Sequence, residues 1–146
     1  MKDNNNRHFF ILIITFLTSL SIISCSLENG FDAADKEPAG LQATFSSIEE
    51  NVFRPRCALS GCHGSDTKEA NLDLSTQNAY NNLVNVQSIL STQGFKRVNP
   101  GDSETSFLIK ALDGSNPVKM PLGETPLDAS TVAIIAQWID DGAKND

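Results

Sequence analysis

The chain opens on an unbroken apolar run and then changes period. Phe9 to Ile23 is dominated by Phe, Ile and Leu, with Lys2 and Arg7 ahead of it. From Ser26 to about Thr44 the sequence is acidic and rich in Gly, Ala and Pro, without an apolar period, and reads as a flexible tether. Helical spacing begins at Phe45. Phe45, Ile48, Val52 and Phe53 fall on one stripe, with Thr44 or Ser46 to cap it and Pro55 to end it. A weaker stripe over Gln77 to Leu90 puts Tyr80, Leu83, Val84 and Ile89 on a second helix. A third follows Asn99-Pro100-Gly101, capped by Asp102 or Ser103, with Phe107, Leu108, Ala111 and Leu112 turned inward. The last carries Val132, Ile135, Ala136 and Ile139 on one face, Ile134 and Trp138 beside them, and Gly142 at its stop. Strand-like alternation is missing. The pattern predicts an all-α domain over residues 45–146, about four short helices joined by long loops. A core that thin is expected to lean on a cross-link, a metal or a cofactor.

The first run is shorter than the roughly 20 residues a bilayer-spanning helix needs. With its positive flank it reads as an export signal over residues 1–24. It ends at Ile22-Ile23-Ser24-Cys25, which resembles the bacterial lipobox. That resemblance implies cleavage before Cys25 and lipidation of its sulfur, with more than one acyl chain holding the protein stably at a membrane. Residues 25–44 would then be a lipidated tether with a root-mean-square span of roughly 25 Å. The expected location is the cell envelope, lipid-anchored, with the domain outside the cytoplasm in the periplasm or at the cell surface. An ordinary cleaved signal or an uncleaved anchor, with Cys25 incidental, is the alternative.

Composition narrows the chemistry. At 146 residues the chain has room for one domain with an appendage. A net charge of -7 argues against a nucleic-acid partner, whose phosphates demand a basic face. The scarce residues are two His, two Met and three Cys. Loss of residues 1–24 would leave one His (His63), one Met (Met120) and, beside Cys25, only Cys57 and Cys62.

Those residues sit in telling places. Cys57-Ala58-Leu59-Ser60-Gly61-Cys62-His63 puts two thiols ahead of a contiguous His, the order that attaches a c-type haem through two thioethers and one imidazole ligand. Four residues separate the cysteines instead of the usual two, and Ser60-Gly61 has the freedom to loop out. A Cys57–Cys62 disulfide suits an exported protein equally well on the thiols alone. Zinc would need a fourth donor, and blue copper a second His. Met120, in Lys119-Met120-Pro121 and flanked by Pro117 and Gly123, lies in a loop where packing does not call for Met. A thioether sulfur is the soft sixth ligand of low-spin haems, and with His opposite it raises the reduction potential.

With these pieces on view, residues from about Phe45 to Ala143 resemble a small class I c-type cytochrome domain. The matching segments are Cys57 to Gly64, Ala70-Asn71-Leu72-Asp73-Leu74-Ser75, Val98-Asn99-Pro100-Gly101-Asp102-Ser103 with Ser106 and Leu108, Met120-Pro121, and Trp138 to Ala143. The resemblance implies one covalently attached haem c, anchored by Cys57 and Cys62, with His63 and Met120 as axial iron ligands. It also implies first and last helices that cross near the haem edge. Arg54 and Arg56 flank the attachment segment and are candidates to pair with haem propionates, against the plainer reading as solvated surface charge. The expected function is a membrane-tethered monohaem one-electron carrier, not an enzyme, serving redox partners with a basic face. A haem peroxidase of this architecture would use two haems, and gas binding would need the position Met120 takes. The alternative is a disulfide-stapled surface lipoprotein without haem, acting as a binding or scaffold protein.

Overall fold

The computed structural model describes residues 40–146, and the export signal, Cys25 and most of the tether lie outside the described residues. Within them the protein is helical, with short helices and no strand longer than an isolated bridge. No helix among the described residues is long and apolar enough to cross a membrane.

The first helical segment runs over 45–56. It consists of α1 (Phe45–Ile48), a π-helical turn (Glu49–Phe53) and α2 (Arg54–Arg56). Thr44 caps it, its hydroxyl accepting from the Ser47 N–H at 3.4 Å. Pro55 does not end the helix, as the sequence predicts, but sits inside its last turn. A proline ring clashes with the carbonyl four residues back, and a widened turn relieves that clash. Here the Arg54 N–H bonds Glu49 O and the Ala58 N–H bonds Phe53 O, both one residue further back than an α-helix would allow. The packed domain also begins earlier than Phe45. Leu41, assigned above to the tether, is buried in the core.

The helix expected over Gln77–Leu90 is only α3 (Ala79–Leu83). Beyond it the backbone finds partners elsewhere. Val84 bridges Val98, Gln87 bridges Lys96, and Asn85 turns through φ +61°. The third helix, α4 (Phe107–Leu112), has no capping side chain. Its first two N–H groups, orphans in any helix, donate instead to Lys96 O and Arg97 O at 2.9 Å each.

The last helix, α5 (Ala129–Asp140), is capped by Asp128, which accepts from the Thr131 N–H at 2.7 Å. Its buried stripe is Thr131, Ile135, Trp138 and Ile139, rotated from the expected face so that Val132 and Ala136 are half-buried. Thr131 can go inside because its hydroxyl donates to Asp128 Oδ2 at 2.9 Å. Gly142 ends the helix at φ +101°, with its N–H on Ile139 O and the Ala143 N–H on Trp138 O, a paired closure that needs a left-handed residue.

One core joins these pieces. Phe45 packs edge-on to Tyr80 with ring centroids 5.1 Å apart, and it meets Trp138 at 5.6 Å and Phe53 at 6.4 Å. The turn at 99–106 is fastened to the end of α5. The Gly101 N–H donates to Ile139 O at 2.8 Å, and Ser103 donates to both Asp140 carboxylate oxygens. Ser106, wholly buried, accepts from the Asn99 N–H at 2.8 Å and donates to Asp102 O at 2.8 Å.

Buried Asp73 ties the loop before α3 together. It accepts from the Ser75 hydroxyl and N–H, from the Asn78 amide at 3.1 Å, and pairs with Lys68 at 3.2 Å. The Ser75 hydroxyl, with the Ser75 N–H and Lys68 in support and against desolvation, pulls its pKa down to about 2. A carboxyl held below its unfolded value of 3.8 contributes stability above that value, and the contribution is lost as pH falls toward 2. Denaturant midpoints are therefore expected to drop between about pH 4 and pH 2, and Asp73→Asn should flatten that drop while lowering the midpoint at neutral pH.

Candidate functional site

The segment after α2 closes on itself before it reaches the His. The Cys62 N–H and the Gly64 N–H both donate to Leu59 O, at 3.0 and 3.1 Å, and the His63 N–H donates to Cys57 O at 3.1 Å. The two residues that widen the cysteine spacing are held outward. The Ser60 hydroxyl donates to Asp66, and the Gly61 N–H to the Thr67 hydroxyl at 2.9 Å. Gly64 is buried where this loop folds back. A Cβ there would stand 3.0 Å from Leu59 O and 3.1 Å from Ala58 O, backbone atoms that cannot easily yield. Gly64→Ala is expected to cost about 1–3 kcal/mol, the usual penalty of overpacking, as read from chemical denaturation.

Cys57 is half-buried and packs against the core, whereas Cys62 is exposed; both are free thiols. Desolvation pushes the Cys57 pKa up to about 11 despite the neighbouring Arg56 charge, so its thiol is protonated at neutral pH.

His63 is oriented by its backbone surroundings. Its Nδ1 lies 3.0 Å from Glu69 O, and because a carbonyl can only accept, Nδ1 carries the proton. In the neutral ring Nε2 is then the lone-pair nitrogen, and no hydrogen bond among the described residues engages it. Glu69 is fixed in turn, its N–H donating to Cys62 O at 2.9 Å. The turn that presents it is strained. Lys68, Ala70 and Asn71 all have positive φ (52°, 57° and 57°), each costing on the order of 1 kcal/mol in a residue other than Gly.

His63 and Met120, far apart in sequence, line one groove of about 510 Å³ including its open mouth. Its wall is apolar, with Leu72, Leu83, Phe107 and Leu108 among its members. Met120 is brought there by its N–H, which donates to Ala111 O at 2.9 Å and ties its loop to α4. Scans against protein-family models, curated proteins and solved structures found no match.

The structure distributes the sequence candidates unevenly. His63 and Met120 share the groove, whereas Cys62, next to His63 in the chain, and Cys57, six residues before it, do not line it. Arg54 is exposed, and Arg56 donates to Thr125 O at 2.6 Å; neither lines the groove. The cation on its wall is Arg97, which sequence reading passed over. No cluster of three or more His, Cys, Asp and Glu gathers among the described residues.

The donor set fits a haem c. An imidazole with a free Nε2 and a thioether sulfur on one apolar groove are donors that could hold a haem iron, with Cys62 next to the imidazole in the chain and Cys57 six residues before it. An Nδ1–H bonded to a carbonyl is the support that metal-ligating His residues use.

Proposed function

We propose that the protein is a monohaem c-type cytochrome that carries single electrons, with a class I cytochrome fold around the groove. The observation that carries this reading is that His63, its Nδ1–H already committed, and Met120 line one apolar groove. In this reading Cys57 and Cys62 would hold the cofactor covalently, and His63 Nε2 and the Met120 sulfur would hold its iron. When bound, a haem c would supply a one-electron ferric/ferrous couple. The chain's own residues do the rest. Glu69 O keeps the imidazole in one tautomer and orientation, Ala111 O keeps the Met120 loop in place, and Leu72, Leu83, Phe107 and Leu108 exclude water. Ligands fixed in this way move little between oxidation states, which favours fast transfer. The acidic chain suits basic redox partners, and the export signal and Cys25 suit a lipid-anchored carrier outside the cytoplasm.

The test is covalent haem. The full chain, expressed for export with haem-maturation factors, is expected to stain for haem on a denaturing gel, and Cys57→Ser with Cys62→Ser is expected to abolish the stain. A wild-type chain that matures without stain would overturn the reading in favour of a disulfide-stapled lipoprotein.

A further inference from the structure

Arg97 is 7% exposed and makes no ion pair among the described residues, where the one pair is Lys68–Asp73. A buried cation without a carboxylate is costly, so what it touches should matter. Its fork is spent on carbonyls. Nη1 donates to Asn82 O at 2.8 Å, and Nη2 donates to Ala70 O at 2.9 Å and Asn71 O at 3.1 Å. Two of those three carbonyls belong to the left-handed residues that follow Glu69, the residue whose own carbonyl receives the His63 Nδ1–H. Arg97 is itself fixed: its N–H donates to Val86 O at 2.7 Å, and its carbonyl accepts from the Leu108 N–H at the start of α4.

We infer that Arg97 is a positioning residue for His63, clamping the strained turn at 68–71 so that Glu69 O stays under the imidazole. The inference rests on His63 being the iron ligand. It requires the planar fork, not just a positive charge, because one nitrogen must reach two adjacent carbonyls while the other reaches a third. Arg97→Lys keeps the charge and loses the fork. The imidazole of that variant should lose part of its Nδ1–H bond and become a weaker donor, which disfavours the ferric state and raises the potential.

The experiment compares haem-loaded wild type and Arg97→Lys by NMR exchange of the His63 Nδ1–H in the ferrous state and by midpoint potential. Exchange at least ten-fold faster is expected. The ferric preference should fall about three-fold, a rise of about 28 mV at about 59 mV per decade for one electron. Adding Ala70→Gly and Asn71→Gly, which make positive φ cheap, should restore both readouts, and this triple variant carries the test if Arg97→Lys alone does not fold. Wild-type exchange and potential in Arg97→Lys would overturn the inference. So would failure of the glycines to restore either readout, which would show that Arg97 does not act through the turn at 68–71. Wild-type chain without haem stain, read before any Arg97 variant is made, would instead remove His63 as ligand and the inference with it.

Discussion

In the haem-loaded protein proposed above, Met120→Ala is expected to lower the reduction potential by on the order of 0.2 V, a fraction of the roughly 0.8 V that axial ligands command. A soft thioether favours the ferrous state, and water or an empty position in its place does not. The visible spectrum should change with it, from a six-coordinate low-spin form to one with an altered sixth position. The fold should tolerate the change. Met120 is half-buried on an open groove, and its loop is held by a backbone bond to Ala111 O that Ala keeps. Leu122→Ala is the control, since Leu122 is an exposed apolar residue of the same loop and does not line the groove. Potentiometry with visible spectroscopy decides the point. A haem-bearing Met120→Ala protein with unchanged spectrum and potential would make Met120 a wall residue only.

The largest loss of stability is expected from Trp138→Ala, about 3–5 kcal/mol. Trp138 is 1% exposed, packs against Phe45 at a tilt, and donates its indole N–H to Lys144 O at 2.9 Å. Truncation would leave a cavity between the first helical segment and α5 and an unpaired carbonyl beside it. Trp138→Phe keeps most of the volume and removes the indole donor, so it should cost less than the alanine variant. Trp138 does not line the groove, so the spectrum of the folded fraction should be that of wild type. Denaturant titration with the spectrum recorded alongside separates the two effects.

The parts of this fold legible in the sequence are those written in side chains of one segment. The Phe45–Phe53 stripe, the apolar set from Phe107 to Leu112 and the last helix with its glycine stop all announce themselves locally, although the third helix starts at Phe107 and not at the expected cap, Asp102 or Ser103. What the sequence hides depends on distant partners. Gln77–Leu90 has helical spacing, but Val98 and Lys96 draw its second half into bridges. The face of α5 turns toward Thr131 because Asp128 satisfies its hydroxyl, a bond that hydropathy does not register. The candidate site divides in the same way. Cys57, Cys62, His63 and Met120 stand out by scarcity and place. Glu69 is invisible because it acts through a backbone carbonyl, and Arg97, beside Lys96, looks like surface charge until three carbonyls from two segments surround it.

The aspartate at position 146 bears on how the domain answers a pull. Its carboxylate accepts from the Phe45 N–H and its carbonyl from the Ser46 N–H, both at 2.9 Å, so the last residue grips the start of α1. A force arriving along the chain from the N-terminal side thus passes into Asp146 and the rings of Phe45, Tyr80, Phe53 and Trp138. None of these lines the groove. The leading end of the domain is thus clasped to the end of the chain through residues other than those that line the groove.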